Sequence, residues 1–224
     1  MNKNINNIEN IGQSLPFRGR GGLGLGLGLG IINYGAGNIF SLTAALNRLN
    51  VSFGLINTPE DFDQYQRYII PGVGHAGAAM QKLNDSGLIP FIQKLTKPVL
   101  GICVGMQLLT DFSEEGNSNL TGIIPVKTLH FNSNVNLKIP HTGWNKVSSN
   151  NSNILFQGIE NEAYFYFVHS YYIEFNPNFT SASTEYGIKF SAVIQKNNFY
   201  GVQFHPEKSG LVGEKLLNNF CTLS

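Results

Sequence analysis

Pro98-Val99-Leu100-Gly101-Ile102-Cys103-Val104-Gly105-Met106-Gln107-Leu108-Leu109 runs from an apolar strand into a helix, with a cysteine at the corner. The apolar run is the kind a parallel sheet buries on both faces. Met106-Gln107-Leu108-Leu109 reads as the helix that follows. A reactive side chain between strand and helix is a nucleophile elbow, here with Cys in place of Ser. Such a turn is sharp and strained, so it needs small flanking residues, and Gly101 and Gly105 supply them. The corner lifts the sulfur to the top of the sheet, and the helix start favours the thiolate. A cysteine serving only as a small buried hydrophobe has no need of this setting.

The text before the elbow is built the same way. Leu29-Gly30-Ile31-Ile32-Asn33 is a strand ending in the turn Tyr34-Gly35-Ala36-Gly37-Asn38. Ile39, Leu42, Ala45, Leu46 and Leu49 recur at helical spacing. Val51 to Ile56 is a second strand, and Thr58-Pro59 resembles an N-cap with proline at the first helical position. Tyr68-Ile69-Ile70 is a third strand ending at Pro71-Gly72-Val73-Gly74, and helical text covers 76–83 and 89–95. Strands alternating with helices predict an α/β fold with a mostly parallel central sheet between helical layers. Functional groups in such sheets gather at the carboxyl ends of the strands, where 34–38, 71–74 and Cys103 all fall. The second half is β-rich: 123–131, 137–147, 163–175 and 187–203 read as strands or hairpins. Asn197-Asn198 is the turn of the last hairpin, and 214–221 a closing helix.

The 224 residues carry 15 basic and 14 acidic side chains, a net charge of +1. A near-neutral chain has no electrostatic footprint for nucleic acid or an anionic membrane. No apolar run approaches the ~20 residues that span a bilayer. Two cysteines, Cys103 and Cys221, make no disulfide framework, so a reducing cytoplasmic setting is expected. Residues 1–28 are of another kind, Asn-rich and then a Gly-Leu alternation from Gly22 to Gly30. They read as a low-complexity, disordered extension to a domain over 29–224, with a cleaved targeting segment as the alternative.

A cysteine nucleophile needs a base and an oriented imidazole. Of five histidines, His205 ends the apolar strand Val202-Gln203-Phe204, and Glu207 follows two residues later. A carboxylate so placed holds the imidazole in one tautomer. His141 and His169 read as structural or as supports behind the site, and the histidine spacings make no metal site.

Gly-Ile-Cys-x-Gly-x-Gln at 101–107 and Phe-His-Pro-Glu at 204–207 together resemble the signatures of class I glutamine amidotransferases. Asn33–Asn38, Pro71–Gly74, His141-Thr142-Gly143-Trp144-Asn145 and Phe167-Val168-His169-Ser170-Tyr171 are most similar to the glutaminase subunits of imidazole glycerol phosphate synthases. The likeness spans roughly residues 29–222. It implies a three-layer, flavodoxin-like α/β fold. It also implies L-glutamine as substrate, attacked by Cys103, with His205 transferring protons and Glu207 orienting it. Backbone N–H groups of Val73 and Val104 would hold the oxyanion, and Gly72, Gln107, Ser170 and Tyr171 the glutamine. Asn38, Trp144 and Lys208 would face a (β/α)8-barrel cyclase in a heterodimer. Ammonia would pass through a tunnel to form imidazole glycerol phosphate and the purine precursor AICAR in histidine biosynthesis. No metal or organic cofactor is implied. Two rivals share the fold: a glutaminase serving a nucleotide-sugar amidotransferase, and a stand-alone cysteine hydrolase.

Overall fold

The computed structural model describes residues 28–131, 137–149 and 153–223, so all but the last residue of the expected extension lies outside the described residues. The first part runs β1 (Leu29–Ile32), α1 (Ile39–Arg48), β2 (Phe53–Ile56), β3 (Tyr68–Gly72), α2 (Ala76–Asp85), α3 (Ile89–Ile92), β4 (Val99–Cys103) and α4 (Val104–Leu108). Then come β5 (Phe112–Ser113), β6 (Ser118–Asn119), β7 (Lys127–His130), β8 (His141–Ser149), β9 (Ala163–His169) and β10 (Tyr171–Ile173). β11 (Thr180–Glu185), β12 (Lys189–Lys196), β13 (Phe199–Val202) and α5 (Gly210–Cys221) complete the chain.

The main sheet has the order β2-β1-β3-β4-β13-β12-β10-β7-β5-β6. β2 through β13 in that order are parallel, and β12, β10 and β7 continue it antiparallel. The chain steps one way from β1 to β2 and the other way from β3 to β4. Right-handed crossovers therefore put α1 and α2 on opposite faces. Arg48 of α1 and Glu214 of α5 pair at 2.6 Å, so α5 shares the α1 face. Leu42, Ala45 and Leu46 are the buried stripe of α1, as the helical spacing required. Burying each leucine stabilises the fold by roughly 2 kcal/mol.

Several elements differ from the sequence reading. The helix after the elbow begins at Val104, because the corner turns directly into it. The segment after Thr58 is a six-residue 3-10 helix, whose Asp61 carboxylate accepts from the Asn57 and Thr58 N–H groups at 2.9 Å each. The closing helix begins at Gly210, four residues before the expected 214. β11 is a strand that polar Thr180-Ser181-Ala182-Ser183-Thr184 did not advertise; it is held by pairing with β12 and β8. The last hairpin is as expected: Lys196 pairs Phe199 across Asn197-Asn198, with Asn197 at φ 54°.

One topological fact positions the site. β13, nearly last in sequence, lies between β4 and β12, and Val202 stands in register with Ile102. The residues just past these two strand ends are the cysteine corner and Gln203-Phe204-His205. β8 and β9 form an antiparallel ribbon joined to the main sheet through β11, with His141 opposite His169 and Trp144 opposite Tyr166.

Candidate active site

Cys103 sits at the corner of β4 and α4 with φ 54° and ψ −110°, a left-handed conformation costly for a non-glycine residue. The surroundings hold it there by close backbone packing. A Cβ on Gly101 would strike the Gly105 carbonyl, one on Gly105 the Ile70 carbonyl, and one on Gly72 the Gly105 nitrogen. Gly72 pairs with Cys103 across β3 and β4, which sets the 71–74 loop directly beside the sulfur. Val104 opens α4, so its N–H belongs to a first turn whose donors have no intrahelical acceptor.

His205 Nδ1 and Glu207 Oε1 are 2.8 Å apart, and their side chains are only 3% and 4% exposed. That contact leaves Nε2 as the ring nitrogen available to Cys103, whose proximity is one cause of the raised imidazole. Burial by itself would depress the imidazole. The hydrogen bonds to Cys103 and Glu207, and the charges behind them, more than reverse it and raise His205 to about 10. These partners favour the imidazolium form of the ring. Its backbone is pinned as well: His205 N–H donates to the Tyr166 carbonyl at 2.9 Å, and the Ser209 hydroxyl to the His205 carbonyl at 2.6 Å.

Gln107 lies on α4, 2% exposed, with Nε2 3.4 Å from both the Tyr171 carbonyl and Gln203 Oε1. Its Oε1 is buried without a partner. Gln203, not singled out from the sequence, is fully buried and directs Nε2 at the Cys103 sulfur, 3.8 Å away. Its only sequence signal was a polar side chain at the end of an apolar strand. Tyr34 was also missed: its buried hydroxyl donates to the Pro71 carbonyl at 2.7 Å and so steadies the 71–74 loop. Burial pushes its phenol up, and the neighbouring Cys103 adds to this.

A crevice of about 10 Å³ lined by Asn38, Pro71, Gly72, Val73, His205 and Glu207 reaches the pair from the α1 side. This is about the space of one water-sized molecule. Asn38 also accepts from the Ser41 N–H at 3.1 Å, capping α1. Trp144 is 55% exposed on the outer face of the β8–β9 ribbon, near Tyr164 at 52%, and Lys208 is exposed just past Glu207. Ser170 is half-buried at the bend between β9 and β10. Among the described residues, no group of three or more His, Cys, Asp or Glu side chains is placed to hold a metal, and no helix is long and apolar enough to cross a membrane.

Residues 30–223 match the family model described as "Glutamine amidotransferase class-I". The chain belongs to the class I glutamine amidotransferase family. It is 50% identical over 190 residues to the "Imidazole glycerol phosphate synthase subunit HisH" of Pasteurella multocida, covering 85% of this chain and 95% of that protein. It is 45% identical over 194 residues to the protein of the same name from Buchnera aphidicola, covering 86% and 98%. Among solved structures, a glutamine amidotransferase of Thermotoga maritima superposes with a TM-score of 0.60 at 17% identity, over 87% of this chain and 82% of that one. PurLQS from the same organism gives 0.65 at 18% identity, over 86% and 96%. These two likenesses carry the class I amidotransferase fold alone. The geometry of Cys103, His205 and Glu207 suits the nucleophile, base and orienting carboxylate that amidotransferase chemistry calls for.

Proposed function

We propose that the chain is the glutaminase subunit of an imidazole glycerol phosphate synthase, and that the Cys103–His205–Glu207 arrangement is its catalytic triad. The observation that carries the reading is the strained cysteine corner in register with the strand that delivers a Glu-bound imidazole. Identity of up to 50% to synthase subunits over most of the chain supports the choice of reaction.

The Cys103 thiolate attacks the side-chain carbonyl carbon of glutamine. The oxyanion is met by the N–H groups of Val73 and Val104, and one such donor contributes roughly 3 kcal/mol to the transition state. The imidazolium of His205 gives its proton to the departing nitrogen, the C–N bond breaks, and ammonia leaves a thioester on Cys103. Water then attacks the thioester carbon, His205 takes its proton and returns it to the sulfur, and glutamate departs. Glu207 keeps the proton-bearing Nδ1 turned away from the sulfur throughout. Gly72, Gln107, Ser170 and Tyr171 surround the substrate, and the unpartnered Gln107 Oε1 is an acceptor free for it. The crevice from His205 toward Asn38 is of ammonia's size and supports an exit on the Asn38 side, with Trp144 and Lys208 as further contacts of the partner. A cyclase barrel docked there, in the cytoplasm, receives the ammonia before water protonates it. Residues 29–224 make up the catalytic domain.

The test is glutamate release from glutamine by the full chain, alone and with a histidine-pathway cyclase and its nucleotide ligand. Stimulation by the cyclase, abolished in Cys103→Ala, is the expected result. Robust activity indifferent to the cyclase would move the ammonia to another acceptor, such as a nucleotide sugar. Activity on small peptides without glutamine hydrolysis would make the chain a stand-alone hydrolase.

A further inference from the structure

Two buried histidines have no part in the triad. His141 on β8 and His169 at the end of β9 are cross-strand partners, 3% and 6% exposed. His169 Nδ1 lies 2.7 Å from the Tyr171 carbonyl, which can only accept, so His169 carries its proton on Nδ1. Its Nε2 is then an acceptor, 3.0 Å from His141 Nδ1. His141 therefore also carries its proton on Nδ1, and its Nε2 faces the Asn145 amide nitrogen at 3.4 Å. Burial holds both rings neutral, at about 4 for His141 and about 3 for His169, so neither supplies a second proton to break the order. Every donor in the series points the same way, from Asn145 toward Tyr171.

The series continues to the nucleophile. The Tyr171 carbonyl that takes the His169 proton also takes one from Gln107 Nε2, whose second hydrogen faces Gln203 Oε1. Gln203 in turn directs its amide at the Cys103 sulfur. The same ribbon clasps the base, through Tyr166 of β9 and His205 N–H.

We infer that His141 and His169 are positioning residues: a one-directional hydrogen-bond relay that ties the ribbon bearing Trp144 to the Tyr171 carbonyl and holds Gln107 in place to receive glutamine beside Cys103. The inference rests on the glutaminase reading. Its competitor is plain packing, since Phe131, Phe167, Tyr186 and Phe190 surround the two rings.

Phenylalanine at these sites keeps an aromatic ring and removes the relay. The test compares wild type, His141→Phe, His169→Phe and His169→Asn as full chains with the cyclase. The readouts are glutamine kinetics, Cys103 alkylation by iodoacetamide, and thermal melting. In His169→Phe the KM for glutamine should rise about tenfold, the scale of one lost buried hydrogen bond. Alkylation and melting should stay near wild type. His141→Phe should give a smaller rise of the same kind. His169→Asn, whose amide can still donate to the Tyr171 carbonyl, should recover most of the loss. An unchanged KM in a folded His169→Phe chain overturns the inference. So does a joint collapse of KM, alkylation and melting, or a His169→Asn chain no better than His169→Phe. Nitrogen-15 imidazole spectra of the wild type supply a check independent of activity: at neutral pH both rings must be neutral with the proton on Nδ1, and any other tautomer overturns the relay. A wild type that hydrolyses no glutamine even with the cyclase removes the glutaminase reading itself, and the inference with it.

Discussion

His205 and the His141–His169 pair are equally buried and belong to the same corner of the molecule, yet their surroundings push them in opposite directions. His205 is raised to about 10, while His141 and His169 fall to about 4 and about 3. Desolvation acts the same way on all three. The difference lies in the partners: His205 has a carboxylate and a thiol group, whereas the pair has a neutral imidazole, an amide and a carbonyl. Burial makes the shifts large, and the partner decides their sign. In the proposed reaction one region supplies the proton to the leaving group. The other holds no extra proton and is a fixed row of donors.

The largest expected effect comes from making the first region resemble the second. Glu207→Gln keeps an oxygen for Nδ1 but removes the charge that holds the imidazolium. Its kcat for glutamine hydrolysis should drop by roughly a thousandfold or more, as loss of the orienting carboxylate does in such triads. The His205 titration, followed by proton NMR, should move down from about 10. A drop smaller than tenfold would show that Glu207 is not what separates the two regions.

A middling effect is expected on the outer face of the ribbon that carries the pair. Trp144→Ala should weaken cyclase binding by roughly thirtyfold, the scale of an aromatic anchor at an interface, with the partner-free hydrolysis rate held. Titration calorimetry against the cyclase measures this, and unchanged affinity would place the interface elsewhere.

The smallest effect is thermodynamic. The pair is lowered in the fold, so its stabilisation is complete above the unfolded histidine value of about 6.5 and drains away as pH falls toward about 4. In that window the unfolded chain takes up protons that the folded chain refuses. His205 is the reverse case: its contribution is complete below about 6.5 and is lost as pH rises through about 10. Melting temperature should therefore fall by at least about 5 °C between pH 6.5 and 4.5. The slope should be shallower in His169→Phe and unaltered in Trp144→Ala. Equal slopes in all three chains would mean that the pair titrates normally.

Much of the site was legible because its constraints are local. The elbow needs glycines at 101 and 105 for steric reasons, and the structure shows backbone carbonyls where their Cβ atoms would go. His205 and Glu207 are two residues apart, so their contact is written in the chain itself. β1, α1, β3 and β4 could be read from periodicity because each buries one pattern against the core. β11 could not, since a Thr/Ser run acquires strand structure only from its neighbours. Gln203 and Tyr34 lay within quoted motifs without a role, because a glutamine or a tyrosine says nothing until its partner's position is known.

The sequence alone thus determined the candidate nucleophile, its base, the orienting carboxylate and the α/β class, each of which depends on residues within a few positions of one another. Only the tertiary structure decided that β13 inserts beside β4, which brings residue 205 to residue 103. It alone decided that His205 is raised while His141 and His169 are lowered, and that His141 and His169 donate in one direction to the Tyr171 carbonyl, where Gln107 donates from the other side. Hydrogen-bond direction and desolvation depend on what surrounds a group in space, and strand order supplies those neighbours from far along the chain.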